Sequence, residues 1–327
     1  MMRTIRWGIL GPGAISRKFV VDLKTVHGTD IIAVGSRSQD RATQFASEFD
    51  IPRVHASYDA LADDGQVDAI YVGTPHTFHK EHTILCLRHG KHVLCEKPFA
   101  INAVEAAEMV QVAKEHRCVL MEAMMTRHLP AMVKVRELIA DGAIGEVRMI
   151  TAGFGFRAEF DPKSRLFDPA LGAGALLDLG VYPLSLAFML LGEPATIDAR
   201  ARLGETGVDE EAAVLFGYPD GALAVLTMAI RLDIPREAYI LGTRGRIKIW
   251  PRWWVPSRIS LKKPGGDEQI LDLPFKGGGY AHEAEAFMDV IRSGRLESEV
   301  MSLDESLSIM RTMDTIRAQW GLRYPVE

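Results

Sequence analysis

The first third of the chain alternates short apolar runs with segments of helical periodicity. The apolar runs are residues 5–10, 31–35, 68–73, 93–95 and 118–123. Runs of this length are typical of buried strands, whereas Ile15, Phe19 and Leu23, between the first two runs, fall on one face of a helix. Alternating strands and helices predict a doubly wound parallel sheet, and hence an α/β domain, over residues 1–123.

The pattern changes after residue 123. Residues 130–141 have helical periodicity, and the extended runs that follow, without helices between them, are 196–203, 212–218, 222–230, 239–242 and 246–250. The tripeptide at residues 219–221, Pro-Asp-Gly, is typical of a hairpin turn. These features predict an α+β domain over residues 124–327 with a large, mostly antiparallel open sheet. Two helices close the chain, and the last begins at a capping box of Ser302 and Glu305.

The strands of this second domain alternate apolar and polar side chains. Val214 and Phe216 mark one face of the sheet, and Leu223 and Val225 repeat the alternation in the next strand. Helices can cover one face, which leaves the other in need of cover. A second copy of the chain would supply it, so the sequence predicts a homodimer through this sheet.

A glycine-rich turn follows the first predicted strand. Gly11 permits a tight turn, and Gly13 allows backbone to approach a pyrophosphate at the N-terminus of the helix that Ala14 and Ile15 begin. Strand, glycine turn and helix form the context of a dinucleotide-binding fingerprint. Ser16 stands where the third glycine of that fingerprint is usual. The sequence therefore predicts a nicotinamide dinucleotide cofactor.

The end of the second predicted strand bears on the choice of cofactor. A carboxylate at this point would bind the ribose 2′-hydroxyl of NAD, and the sequence has Ser36 and Arg37 instead. Arg37 offers a charged fork for a 2′-phosphate, and Arg41 lies one helical turn further on. This pattern predicts NADP in preference to NAD, which stays open as a second cofactor.

In a doubly wound sheet, ligands bind at the carboxyl ends of the strands. The other residues that we expect to line the cofactor are Thr74, Pro75, His76, His79, Glu96, Lys97, Pro98 and Arg127. Pro98 can take the cis form at a cost of roughly 0.5–1 kcal/mol. His76, His79 and His82 stand three residues apart and would fan around a helix, so we predict no metal site.

A second glycine-rich stretch, residues 172–183, opens an apolar helix in the second domain. Asp178 and Tyr182 are four residues apart, which places a carboxylate and a phenol on one helical face. This arrangement favours a polar site for a ligand. The alternative is an aspartate that caps the helix beside a half-buried tyrosine.

Length and composition restrict the class of protein. The 327 residues suggest two domains, and 47% hydrophobic with 25% charged residues is typical of a soluble globular protein. A net charge of −5 argues against nucleic acid as a partner. The three cysteines show neither disulfide nor zinc spacing, and neither a secretory segment nor an apolar run near the roughly 20 residues of a membrane span is evident. We therefore expect a cytoplasmic protein with no membrane partner.

Three segments together resemble the glucose–fructose oxidoreductase/inositol dehydrogenase family, Gfo/Idh/MocA. They are residues 11–15 (Gly-Pro-Gly-Ala-Ile), 96–98 (Glu-Lys-Pro) and 174–182 (Gly-Ala-Leu-Leu-Asp-Leu-Gly-Val-Tyr). Tyr182, where many members carry histidine, and residues 121–127 resemble the subgroup of dimeric dihydrodiol dehydrogenases and NADP-dependent D-xylose dehydrogenases. The resemblance covers essentially the whole chain and implies a Rossmann domain, a dimerisation sheet, and catalysis by Lys97, Asp178 and Tyr182.

The resemblance implies an NADP-dependent dehydrogenase of a small polyol, aldose or cyclic diol. Oxidation of a hydroxyl needs a base for its proton, and either Lys97 or Tyr182 fits that role. Asp178 would bind a substrate hydroxyl or orient Lys97. Two other functions in the family stay open, a non-catalytic NADP-binding sensor and an NAD-dependent glycosidase.

Several aromatic residues are candidates for the walls of the substrate pocket. They are Phe154, Phe156, Trp253, Trp254 and Tyr280. Aromatic side chains dominate protein cores and interfaces as well as pockets. The sequence therefore leaves open which of the five contact substrate.

Overall fold

The computed structural model describes residues 3–327 and divides the chain into two compact units. The first contains the residues up to Met125 together with Lys276–Leu307, and the second contains Thr126–Phe275 and Ser308–Glu327. The chain thus returns to its first unit late in the sequence. The functional division into residues 1–123 and 124–327 stays a prediction.

The first unit is built on a parallel sheet. Its strands are β1 (Ile5–Leu10), β2 (Thr29–Gly35), β3 (Arg53–His55), β4 (Ala69–Val72), β5 (His92–Glu96) and β6 (Leu120–Ala123). Every pair is parallel, in the order β3-β2-β1-β4-β5-β6. This is the strand order of a dinucleotide-binding doubly wound fold, and it confirms the predicted α/β class.

Helices connect the strands of the first unit, and further helices lie in the rest of the chain. Their bounds are α1 (Ala14–Leu23), α2 (Gln39–Phe49), α3 (Tyr58–Ala62), α4 (His79–Arg88), α5 (Ala103–His116), α6 (Pro130–Ala140), α7 (Val181–Leu191), α8 (Tyr280–Arg292) and α9 (Leu303–Trp320). Local capping fixes several starts. Asn102 accepts the N–H of Glu105 at 2.9 Å, and Ser302 accepts the N–H of Glu305 at 3.2 Å, which confirms both predicted caps.

Helix α8 supplies part of the core of the first unit. The ring of Trp7 in β1 lies 5.4 Å from that of Phe287, and its indole N–H donates to Met288 Sδ at 3.4 Å. Asp22 at the end of α1 accepts the backbone N–H of Gly278 at 2.9 Å and of Tyr280 at 2.8 Å. Residues 276–307 are therefore integral to this unit.

The second unit contains the large sheet that the sequence predicts. Its strands are β7 (Val147–Gly155), β8 (Thr196–Leu203), β9 (Asp209–Gly217), β10 (Leu223–Ala229), β11 (Ala238–Gly242), β12 (Gly245–Ile249), β13 (Arg258–Lys262) and β14 (Glu268–Asp272). Their order is β14-β13-β12-β11-β7-β10-β9-β8, and within residues 3–327 only the β7–β10 pair of this sheet is parallel. The predicted mostly antiparallel sheet is confirmed.

One helical segment of the second unit is apolar over a long stretch. Pro169–Leu191 spans 23 residues and has the length and composition of a membrane span, contrary to the expectation that no apolar run approaches that length. However, 78% of its most apolar window is buried inside the fold. The segment packs against β7 and β10 as a core helix.

Candidate active site

The glycine turn after β1 has the geometry of a phosphate cradle. Gly11 has φ +88°, and a Cβ at this position would lie 2.9 Å from Thr74 Cγ2. Gly13 precedes α1, whose first turn begins at Ala14 and Ile15 without a side-chain cap. Unsatisfied N–H groups at a helix start attract phosphate. The residues present therefore fit the pyrophosphate of a dinucleotide.

Ser16, in place of the third glycine, contributes to this turn. Its hydroxyl is buried and donates to the carbonyl of Gly11 at 2.6 Å. A Cβ at Gly73, just past β4, would collide with Ser16 Oγ. Gly73 thus allows the close packing between α1 and the end of β4 for which the third glycine of the fingerprint is usually needed.

The end of β2 carries the residues predicted to distinguish NADP from NAD. Ser36 is buried, and its hydroxyl accepts the N–H of Ser38 at 3.1 Å. Arg37 is exposed, with its guanidinium carbon 5.6 Å from the centre of the Phe78 ring, and Arg41 is exposed in α2. Two exposed guanidinium groups beside the strand end fit the 2′-phosphate of NADP.

Three aromatic groups that were not predicted to line the cofactor surround a pocket beside Arg37. Tyr58 and His82 have ring centres 4.5 Å apart, and Phe78 is stacked on His82 at 5.7 Å. Burial lowers the pKa of His82 to about 4, and its Nδ1 lies 3.0 Å from Thr74 Oγ1. In the sequence, only the aromatic character of Tyr58, Phe78 and His82 indicated that they could line a pocket.

The ring of His79 contacts the backbone of two segments, which follow the carboxyl ends of β4 and β5. Its Nδ1 lies 2.8 Å from the carbonyl of Pro98, and its Nε2 lies 2.8 Å from that of Thr74. Burial lowers its pKa. Pro75 and His76 begin the short helix that precedes α4, in which His76 and His79 have ring centres 5.8 Å apart. Residues 3–327 contain no group of three or more potential metal ligands.

The Glu-Lys-Pro triplet lies at the carboxyl end of β5. Glu96 is buried and accepts the phenol hydrogen of Tyr71 at 2.5 Å, while the backbone N–H of Lys97 donates to the other Glu96 oxygen at 3.3 Å. Burial and the charge of Glu96 raise the pKa of Tyr71. The Lys97–Pro98 peptide bond is cis. Lys97 directly follows the carboxyl end of β5, and the carboxyl ends of the strands are where a doubly wound sheet binds ligands.

In the second unit, Asp178 and Tyr182 belong to one continuous helical segment. Leu176–Gly180 is a π-helical turn, and α7 continues from it, so Asp178 lies within the turn and Tyr182 follows it. Such turns are rare in proteins, and those that do occur are often at functional sites. Asp178 is 5% exposed and pairs with Arg165 at 2.9 Å, whereas Tyr182 is half-buried.

Two of the candidate aromatic residues come together with Tyr182. Phe154 and Trp254 are stacked with ring centres 3.7 Å apart, and Phe154 meets Tyr182 edge-on at 5.3 Å. Thr126 Oγ1 donates to the carbonyl of Trp254 at 2.5 Å. Tyr182 and this aromatic pair therefore form one group of side chains, and Asp178 lies four residues before Tyr182 in the same helical segment.

The remaining candidates occupy other surroundings. Trp253 is fully buried and donates its indole N–H to Gly153 at 2.6 Å, so it is a core residue. Phe156 is half-buried just past β7, and Tyr280 lies in the first unit, beside Asp22. The roles of Phe156 and Tyr280 toward substrate stay predictions.

Arg127, a predicted cofactor residue, is almost fully buried. It is 2% exposed and donates from Nε and Nη2 to the hydroxyl and carbonyl oxygens of Ser185, each at 2.8 Å. These contacts fix Arg127 to α7. Its role toward the cofactor stays a prediction.

The parallel sheet, the phosphate cradle and the arginines after β2 define a dinucleotide-binding fold. The family described as "Oxidoreductase family, NAD-binding Rossmann fold" matches residues 5–124, and the GFO/IDH/MocA C-terminal domain matches residues 132–248. The chain belongs to the GFO/IDH/MocA oxidoreductase family. The predicted family, enzyme class and nicotinamide cofactor are confirmed.

Characterised relatives extend over the whole chain. The trans-1,2-dihydrobenzene-1,2-diol dehydrogenases of Xenopus tropicalis and Homo sapiens are 37% and 35% identical, over 98% of this chain and 99% and 98% of their own. Among solved structures, an aldose–aldose oxidoreductase from Caulobacter crescentus complexed with glycerol has a TM-score of 0.89 at 25% identity, covering 98% and 99% of the two chains. A 3-ketoreductase from Actinomadura kijaniata with NADP and TDP-benzene has 0.86 at 29%, covering 97% and 98%.

Proposed function

We propose that this protein is an NADP-dependent dehydrogenase that oxidises a hydroxyl group of a small polyol, aldose or cyclic diol. The observation that carries this is the group formed by Tyr182 and the stacked pair of Phe154 and Trp254, with Asp178 four residues before Tyr182 in the same helical segment. The carboxylate and phenol suit a hydroxylated substrate, and the flat aromatic pair suits the apolar face of a ring. The dihydrodiol dehydrogenases among the relatives act on a substrate of this description.

The proposed chemistry assigns a role to each polar residue. NADP, when bound, supplies the acceptor or donor of hydride. Tyr182 and Lys97 serve the proton transfer, one as the group that takes the hydroxyl proton and the other as its electrostatic support. Asp178 accepts a hydrogen bond from a substrate hydroxyl, and the Arg165 cation keeps this buried carboxylate compensated.

The cofactor is assigned to residues of the first unit. Gly11, Gly13, Ala14 and Ile15 cradle the pyrophosphate. Ser36, Arg37 and Arg41 bind the 2′-phosphate, which favours NADP, although NAD has the same pyrophosphate. The proposed lining of the nicotinamide and adenine ends consists of Thr74, Pro75, His76, His79, Glu96, Lys97, Pro98 and, from the second unit, Arg127.

We further propose a cytoplasmic homodimer joined through the sheet of the second unit. In that sheet Phe216 is fully buried, whereas its neighbour Leu215 is 39% exposed and lies directly opposite Val225, which is 38% exposed. Apolar side chains on an open face support a second subunit as cover. Cys86, Cys95 and Cys118 are free thiols, which is usual for cytosolic proteins.

The test is NADPH formation by the purified protein with NADP⁺ and a panel of substrates. The panel contains D-xylose, D-glucose, myo-inositol and a trans-dihydrodiol, and each is also run with NAD⁺. Lys97→Met and Tyr182→Phe serve as the variants, and equilibrium binding of NADP⁺ is measured for all three proteins. We expect turnover with at least one substrate, faster with NADP⁺ than with NAD⁺.

Both variants should lose at least 100-fold in kcat while NADP⁺ binding stays within about threefold. Full activity of Lys97→Met would refute the assigned chemistry. Tight NADP⁺ binding without turnover of any panel member would argue for a sensor. Equal kcat/KM with NAD⁺ and NADP⁺ would contradict the role of Arg37.

A further inference from the structure

A buried carboxylate holds the start of the π-helical turn that carries Asp178. Asp209, the first residue of β9, is fully buried, and its Oδ2 accepts the backbone N–H of Leu176 at 2.6 Å. Leu176 is the first residue of the turn, where N–H groups have no partner within the helix. The contact thus joins the sheet to the start of this turn.

The backbone is shaped to admit this carboxylate. Gly174 has φ +121°, a conformation that side chains rarely adopt, and a Cβ there would collide with Asp209 Oδ1. Just before the turn, the phenol of Tyr324 donates to the carbonyl of Ala173 at 2.8 Å. Residues 173–176 are therefore held by two side chains, from β9 and from the C-terminal segment.

We propose that Asp209 is a positioning residue, which fixes the start of the π-helical turn through Leu176 and thereby sets the places of Asp178 and Tyr182. The inference rests on the proposed function, because the reaction it serves is the one assigned to those two residues. Asp209 acts through the turn and need not touch substrate. We call the contacts of Asp209 with Leu176 and Gly174 the latch.

The ionisation of Asp209 makes the latch sensitive to pH. Burial raises its pKa to about 7, and Oδ1 has no hydrogen-bond donor among residues 3–327. The charged and titratable groups that face it are Arg317 of α9, which favours the ionised form and itself pairs with Asp314 and Glu327, and Tyr324. The latched state therefore binds a proton more tightly than a state in which water reaches Asp209.

The sign of the pH effect follows from this difference. A solvated aspartate has a pKa near 3.8, well below the value in the latch. The latch is thus most stable at low pH and loses stability as pH rises through about 7. Asparagine is a permanently neutral replacement that keeps an acceptor for Leu176, so Asp209→Asn should hold the latch at every pH.

The experiment compares wild type, Asp209→Asn, Asp209→Ala and the surface control Asp267→Asn, which is exposed between β13 and β14. Hydrogen exchange of peptides that cover residues 174–182 is measured at pH 6 and pH 8, corrected for intrinsic exchange rates. NADP⁺ affinity, kcat and KM are measured from pH 5.5 to 9. The exchange measurement needs no turnover, so it separates failure of the latch from failure of the proposed function.

We expect protection of residues 174–182 to fall at least threefold from pH 6 to pH 8 in wild type and in Asp267→Asn, and to stay constant in Asp209→Asn. Asp209→Ala should lower kcat at least tenfold with NADP⁺ affinity within twofold, and Asp209→Asn should restore kcat to within threefold of wild type at pH 6. Wild-type kcat in Asp209→Ala would overturn the proposal. If Asp209→Ala fails to fold, equal pH dependence of exchange in wild type and Asp209→Asn would overturn it as well.

Discussion

Arg165 and Asp178 form an ion pair between an exposed loop and a buried helix, with Arg165 Nη1 2.9 Å from Asp178 Oδ1. The arginine side chain is 63% exposed, whereas that of the aspartate is 7% exposed. The loop is held in place because Arg231 lies over the rings of both Phe160 and Phe167, at 5.7 and 5.8 Å. An exposed cation thus compensates a buried carboxylate that we assign to substrate binding.

Loss of this cation should weaken catalysis without affecting the cofactor. We expect Arg165→Gln to lower kcat/KM about tenfold, because a buried carboxylate without its charged partner is costly. NADP⁺ affinity should stay within twofold. Arg165→Lys should lose less than threefold, and Arg157→Gln, on the same loop, is the matched control. An unchanged kcat/KM in Arg165→Gln would show that the pair does not matter for substrate binding.

The stacked pair of Phe154 and Trp254 should distinguish the flat, apolar ring of a dihydrodiol from the hydroxylated ring of a sugar. Aromatic pairs contribute about 0.5–1.5 kcal/mol beyond area burial. We therefore expect Trp254→Ala to raise KM for a trans-dihydrodiol about tenfold and for D-xylose less than threefold. Trp254→Phe should restore most of the affinity. Equal increases in KM for both substrates would show that Trp254 does not contact the ring of the dihydrodiol.

Arg37 should decide the preference for NADP over NAD. A charge-assisted hydrogen bond to phosphate is worth roughly 1.5–3 kcal/mol, so Arg37→Gln should raise the dissociation constant of NADP⁺ by about 10- to 100-fold. NAD⁺ binding, measured by the same fluorescence titration, should change less than twofold. The exposed Arg311→Gln is the control. A parallel loss of both cofactors would indicate a structural defect instead.

Glu283 of α8 should destabilise the first unit as pH rises. It is fully buried, neither carboxylate oxygen has a hydrogen-bond partner among the described residues, and burial together with the charges of Glu96 and Asp22 raises its pKa well above the ordinary value. A raised acid pKa means that stability is lost as pH rises through it. Glu283→Gln removes this ionisation.

We expect Glu283→Gln to unfold at nearly the wild-type temperature at pH 5 and about 2–4 °C higher at pH 8. A gain of about 1 kcal/mol in the free energy of unfolding raises the unfolding temperature by that amount in a domain of roughly 150–250 residues. The measurement is thermal unfolding followed by circular dichroism. Glu285→Gln, two residues away and exposed, should show no pH-dependent difference. A Glu283→Gln variant that is less stable than wild type at pH 8 would contradict the assignment.

Asp64 should have the opposite pH dependence. Burial tends to raise its pKa, but hydrogen bonds from Arg53 at 2.6 Å, from the N–H of Gln66 at 2.9 Å and with His55 at 2.9 Å outweigh it and lower the pKa to about 2. Its contribution, about 2 kcal/mol, is present above pH 4 and lost as pH falls through 2.

We therefore expect Asp64→Asn to reduce the free energy of unfolding by about 2 kcal/mol at pH 7, with a difference that shrinks toward pH 2. Urea unfolding at several pH values measures it. The exposed neighbour Asp63→Asn is the control. A constant difference between pH 7 and pH 3 would show that the loss is not electrostatic.

Features with a local cause could be predicted from the sequence. The glycine turn at Gly11 and the caps at Asn102 and Ser302 depend on a few neighbouring residues, and the structure has each of them. The parallel sheet followed from strands that are apolar throughout, because both faces of such a sheet are covered. The short strand β3 and the polar β14 lack that signal, and neither was predicted from the sequence.

Features that depend on distant partners could not be predicted. No spacing in the sequence distinguishes a π-helical turn at Leu176–Gly180 from an ordinary helix, since the turn is fixed by Asp209 in another element. Trp253 and Trp254 are neighbours in the chain, yet one is a core residue and the other stacks on Phe154. Arg165 precedes Asp178 by 13 residues in an irregular loop, so its pairing had no periodic signal.

The late return of the chain to its first unit has a consequence for synthesis on the ribosome. The ring of Trp7 needs Phe287 and Met288 as neighbours, and about 150 residues of the second unit separate residue 125 from the returning segment. At roughly 5–20 residues per second, the nascent first unit waits about 8–30 s for them. The cofactor-binding unit of this protein therefore completes its core only after the ribosome has synthesised residues 276–307, and a chain released before that point leaves the core incomplete.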